Sequence, residues 1–179
     1  MSSSFYRRDI LKILSASALA GPLQLTAAEA DKPLYFSKEE FALLDVLTEH
    51  IIPRDAHSGG AHDAGVAAFI DRTVAEAFLP EEKQSWNKGL AEINRLSLES
   101  NDRPFLKAHK DAQIALLTKL AQAEDAPPAH GQETDGEKFF HQLKESTVFA
   151  YYTSEIGIHK DIEYKGNTIQ EQFSGYDAV

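Results

Sequence analysis

Cysteine is absent from all 179 residues. That removes thiolate nucleophiles, disulfides, Cys-ligated zinc, iron–sulfur clusters and covalently attached c-type haem from the chain's repertoire. Long apolar runs are also missing. Nothing approaches the roughly 20 residues a helix needs to cross a bilayer, so an integral membrane protein is not expected. Positive charge is in deficit: 18 Lys+Arg stand against 28 Asp+Glu, a formal net charge of −10. With no dense Lys/Arg cluster, such a chain repels phosphate backbones, which excludes nucleic acid as a partner. No G-x-S-x-G, G-x-G-x-x-G, P-loop or H-E-x-x-H is present, so the common signatures of hydrolysis, dinucleotide binding and zinc catalysis are lacking. What remains is an acidic, non-catalytic chain of a length that suits one domain.

The N-terminus is patterned differently from the rest. Arg7-Arg8-Asp9-Ile10-Leu11-Lys12 precedes an apolar run from Ile13 to Leu25, and Ala28-x-Ala30 closes it. Basic region, apolar region and small-residue cleavage site stand in the order of a secretory leader. The arginine pair followed by Leu11 and Lys12 resembles a twin-arginine export signal. Residues 1–30 are therefore expected to be a removable address and 31–179 a single helical domain. Twin-arginine export carries folded cargo to the periplasm. Without cysteine, packing alone must hold that cargo together.

Helical spacing dominates the mature part. Ser37-x-x-Glu40 is a capping box, and Phe41, Leu44, Leu47 and Ile51 follow on one face until Pro53. Val66 to Phe78, with Phe69, Ile70 and Val74, predicts a second helix. Glu81–Leu98 predicts a third with Trp86, Leu90, Ile93 and Ser97 inward, and Lys110–Gln122 a fourth with Ile114, Leu117 and Ala121 inward. Pro127-Pro128 marks a linker, and a last helix is expected from Gly136 to Ile156. No period-two run of useful length appears, so the expected fold is all-α: an irregular bundle of about five helices with an extended C-terminal tail.

Three features can carry chemistry or contacts. His50, Asp55, His57, His62 and Asp63 fall within fourteen residues, a donor set that could ligate a divalent ion. Their spacing fits no recognised metal motif, and the preferred reading is a solvated polar loop that contacts a partner. The carboxylate pairs Asp71 with Glu76 and Glu145 with Glu155 are read as ordinary solvated helix faces, not acid–base pairs. The last helix holds Phe139, Phe140, Phe149, Tyr151 and Tyr152, which cannot share one stripe at about 100° per residue. It is expected to be the central helix, with some aromatics meeting a neighbour. Tyr151 or Tyr152, with Phe173 and Tyr176 of the tail, are the anchors this reading selects for a protein interface.

In order along the chain stand Phe41-x-x-Leu44, Ile51-Ile52-Pro53, Gly60-Ala61-x-x-Ala64-Gly65-Val66 and Phe69-Ile70-Asp71. Tyr151-Tyr152-x-Ser154-Glu155-x-Gly157, Tyr164-x-Gly166-Asn167 and Gly175-Tyr176 follow. Together with the leader, this succession resembles the gluconate 2-dehydrogenase subunit 3 family over nearly the whole chain. The resemblance implies a small helical accessory subunit, exported with a large FAD-dependent dehydrogenase of the glucose-methanol-choline type. A membrane-associated multihaem cytochrome c often completes such a complex. Flavin and the sugar-oxidising residues then belong to the large partner, haem c to the third subunit, and no cofactor to this chain. Two alternatives stay open: a free-standing exported protein whose histidine loop binds a metal or small ligand, and a subunit that lends a wall to its partner's substrate pocket.

Overall fold

The computed structural model describes residues 32–124 and 133–166. Arg7, Arg8, Leu11 and Lys12 of the leader, the Pro127-Pro128 linker, and Phe173 and Tyr176 of the tail lie outside the described residues. The chain divides after Lys32 into two units, and every described helix belongs to the second.

Among the described residues there are five α-helices and no strand: α1 Lys38–Ile51, α2 Val66–Glu76, α3 Pro80–Asn101, α4 Lys110–Glu124 and α5 Asp135–Tyr152. A 3₁₀ turn, Phe105–Lys107, joins α3 to α4, and a π-helical turn, Gly157–Asp161, follows α5. The fold is all-α, as composition and periodicity imply. Its helix starts follow local chemistry. At α1 the Ser37 hydroxyl accepts from Glu40 N while the Glu40 carboxylate accepts from Ser37 N, satisfying two otherwise orphaned donors. The same reciprocal pair, Thr134 with Glu137, opens α5. Pro80 starts α3, followed by Glu81 and Glu82 in its first turn, where acidic side chains meet the positive end of the helix dipole.

α5 is the central helix and packs against all four others. It buries Phe139, Phe140, Leu143 and Tyr151 against Leu43, Leu44 and Leu47 of α1, Ile70 and Val74 of α2, Trp86, Leu90 and Ile93 of α3, and Leu116, Leu117 and Leu120 of α4. The α3–α5 crossing depends on Gly89. A methyl group there would lie 1.9 Å from the Phe139 ring, which is itself held edge-on by Trp86 at 5.6 Å between centroids. Gly89→Ala should therefore destabilise by about 1–3 kcal/mol, although alanine is the better helix former by about 1 kcal/mol. Urea titration of the isolated domain measures it.

Three local expectations need correction. Ile114 is exposed, and the buried stripe of α4 is Gln113, Leu116, Leu117 and Leu120. Gln113 can turn inward because its amide is satisfied: it donates to Phe105 O at 2.7 Å and offers its oxygen to His50 Nε2 at 3.0 Å. α2 ends at Glu76, leaving Phe78 almost wholly exposed. α5 stops at Tyr152 instead of Ile156. The Thr153 and Ser154 hydroxyls take the carbonyls of Phe149 and Tyr151, and Gly157 then packs against Tyr151 O, where a Cβ would sit 2.1 Å from that oxygen.

Candidate docking face and the histidine loop

Residues 52–65 connect α1 to α2, and their carboxylates knit the loop together. Asp55 accepts from the backbone N–H groups of His57 and Ser58, both at 2.8 Å, and these bonds lower its pKa. Asp63 grips the Arg54 guanidinium through Nε at 2.8 Å and through Nη2, which lowers the Asp63 pKa and raises that of Arg54. Glu49, in the last turn of α1, accepts from Arg54 N and His62 N, both at 2.9 Å. Gly60 fits beneath this carboxylate. A Cβ there would come within 2.4 Å of both Glu49 oxygens.

Tyr151 fastens the loop to α5. Its hydroxyl donates to Gly59 O at 2.7 Å, so the Ser58 hydroxyl, 2.9 Å away, must donate to Tyr151 in turn. The ring is 1% exposed. Tyr151 is therefore a core residue of this chain, and its selection as a surface anchor is corrected: the last turn of α5 aims it at the loop. Its neighbour Tyr152 is partly exposed, 40%, and its hydroxyl bonds the Asp161 side chain, which raises the Tyr152 pKa.

The three histidines are not brought together. His50 faces α4, between Gln113 and the edge of Phe105. His57 reaches the backbone oxygen of Asp161 at 3.3 Å. His62 turns back to α1, with Nδ1 2.7 Å from Asp45 Oδ2. Among the described residues no group of three or more His, Asp or Glu side chains could hold a metal ion. Sequence proximity of His50, Asp55, His57 and His62 thus does not become a coordination sphere. The loop is polar and largely exposed, but it is ordered by its own carboxylates.

The Asp45 carboxylate raises the His62 pKa, chiefly by hydrogen bonding and then by charge. A raised folded-state pKa contributes stability that is complete below the unfolded value, about 6.5, and disappears as pH rises through the folded value. Wild type should therefore exceed His62→Gln in melting temperature at pH 6. The difference should be small for so exposed a pair and should close by about pH 8.5. Paired thermal melts across that range test it.

The remaining aromatics of α2 and α5 create a surface. Phe69 is 43% and Phe149 62% exposed, with ring centroids 6.0 Å apart. They overhang a cleft of about 300 Å³ between the two helices, lined also by Ile70, Thr73, Val74 and Trp86. Val148 and Tyr152 are exposed on neighbouring turns of α5. Adjacent exposed large aromatics over an apolar cleft are the makings of a protein-binding site. The sequence signal for this face was the excess of aromatics in α5; which of them point outward depends on how α5 is seated.

A model of the family described as gluconate 2-dehydrogenase subunit 3 matches residues 38–168. The chain belongs to this family. No curated protein and no solved structure matches it. Subunit 3 is an accessory subunit of a dehydrogenase complex, which implies a larger catalytic partner.

In this subunit 3 chain, the residues that carry the family resemblance are the ones that shape the loop and its closure. Gly60 fits under Glu49, Ala61 is fully buried with its N–H on Ile52 O at 2.8 Å, and Gly65 starts α2 with φ of 68°. That positive φ suits glycine alone. Tyr151, Ser154 and Gly157 form the opposing side. Asp71 is the residue that sequence reasoning misjudged. It is no solvated carboxylate but 2% exposed, and it accepts from the backbone N–H groups of Leu34, Tyr35 at 3.0 Å and Phe36 at 2.9 Å. An S-x-x-K spacing does occur at Ser85 and Lys88, but on an exposed helix face where the Ser85 hydroxyl donates to Gln142 Oε1 at 2.7 Å, away from the lysine.

Proposed function

We propose that this chain is the non-catalytic small subunit of an exported FAD-dependent dehydrogenase of the glucose-methanol-choline type, acting on gluconate or a related sugar. Its role is the export, maturation and stability of the large subunit. The family match carries this reading, and two features support it. The leader bearing Arg7, Arg8, Leu11 and Lys12 has the pattern of a signal for folded cargo, and the Phe69–Phe149 face offers the catalytic subunit a docking site. The described residues supply no metal cluster, and the sequence has no glycine-rich dinucleotide loop. Flavin is therefore assigned to the large subunit, and haem c to a membrane-associated cytochrome where one is present. The mature complex is placed in the periplasm.

Co-expression with the large subunit tests the escort role. Arg7→Lys combined with Arg8→Lys should leave both polypeptides in the cytoplasm, as cell fractionation and dehydrogenase activity would show. Normal amounts of the large subunit outside the cytoplasm would refute it.

A further inference from the structure

We infer that Asp71 and the segment Leu34–Phe36 form a latch that holds the junction with the leader in place only when the domain has folded. The inference rests on the export reading above.

The latch is unusual for its economy of contacts. Residues 33–37 form no helix or strand, yet three consecutive backbone N–H groups converge on one carboxylate from the middle of α2. Side chains lock the same segment. Phe36 is 4% exposed and meets Trp86 edge-on. The Tyr35 hydroxyl accepts from Asn87 Nδ2 at 2.8 Å, and Lys83 lies over its ring. Trp86, Asn87 and Lys83 belong to α3, so the segment binds only where α2 and α3 are already packed together. No short-range interaction in residues 33–37 could assemble this site in an unfolded chain, because its acceptor and its aromatic partner lie 35 to 50 residues away.

Chain length gives the latch its consequence. Leu34 is four residues beyond Ala30 of the small-residue motif, a span of at most about 14 Å even when fully extended. A carrier that admits only folded cargo needs the leader presented beside a closed domain. The latch makes that presentation conditional on α2–α3 packing. In an incompletely folded chain Asp71 has no partners and residues 33–37 join the leader as one mobile strand. Asp71 is in this sense a positioning residue for the leader and has no part in catalysis.

The test uses the full chain, co-expressed with its large subunit. Asp71→Asn replaces one carboxylate oxygen with an amide donor facing N–H groups, and Leu34→Pro deletes one of the three donors without touching α2. Chymotrypsin sensitivity at Tyr35 and Phe36 reports release of the segment, circular dichroism reports the bundle, and fractionation reports export. Both variants should be cut at least tenfold faster there, with Leu34→Pro keeping wild-type helix content, and the exported fraction should fall at least threefold. A folded Leu34→Pro chain that is released at the segment yet exported at the wild-type level overturns the latch, as does a segment that stays protected in both variants. Arg7→Lys with Arg8→Lys is run alongside: full export of that variant would refute the leader reading itself, and the latch with it, whereas its retention beside normal export of Leu34→Pro refutes the latch alone.

Discussion

Replacing Tyr151 with alanine should cost this domain about 3–5 kcal/mol, the range for deleting a buried aromatic ring. For a domain of this size that corresponds to a melting temperature lower by roughly 6–20 °C. The ring is 1% exposed, so its removal leaves a cavity at the centre of the bundle. The hydroxyl matters separately. Tyr151→Phe keeps the ring but leaves Gly59 O without its donor and the Ser58 hydroxyl without its acceptor, and buried polar groups left unpaired cost about 1–3 kcal/mol. The loop should loosen selectively in that variant, so hydrogen exchange at residues 55–61 should accelerate more than exchange in α3 or α4. Uniform acceleration across all helices would mean that the bond stabilises the bundle without holding the loop.

Phe149→Ala should do the reverse. At 62% exposure the ring contributes little to the fold, and stability should stay within about 0.5 kcal/mol of wild type. Binding to the large subunit should weaken by about 2–4 kcal/mol, or roughly 30- to 700-fold in Kd, as expected for a central aromatic anchor. Phe69→Ala should act in the same direction, and the double variant should fall short of the sum, because the two rings share one contact. Ile114→Ala is the control: comparably exposed, but on α4. If Ile114→Ala weakens the complex while Phe149→Ala does not, the docking face lies elsewhere. The contrast between adjacent turns of one helix, Tyr151 for stability and Phe149 for association, is the sharpest expectation the structure yields.

Local chemistry was legible in the one-dimensional pattern. The absence of cysteine, the lack of alternating runs, the Ser37–Glu40 capping box and the stripe Trp86, Leu90, Ile93 and Ser97 determined an all-α fold and placed its first and third helices, because caps and periodicity act over four residues or fewer along the chain. The ordered succession of Gly60, Ala61, Gly65, Asp71, Tyr151, Ser154 and Gly157 pointed to the family without disclosing what those residues do. Their roles are relations across the fold. Asp71 is a clasp because Leu34–Phe36 passes over it, and Gln113 turns inward because Phe105 and His50 wait there. His50, His57 and His62 separate because α4, the π-helical turn and α1 each claim one. Tyr151 and Phe149 differ only in the direction α5 gives them. An aromatic-rich helix signals that something must cover it, and only the packing of α2, α3 and α4 around α5 decides which rings the chain covers itself and which it leaves for a partner.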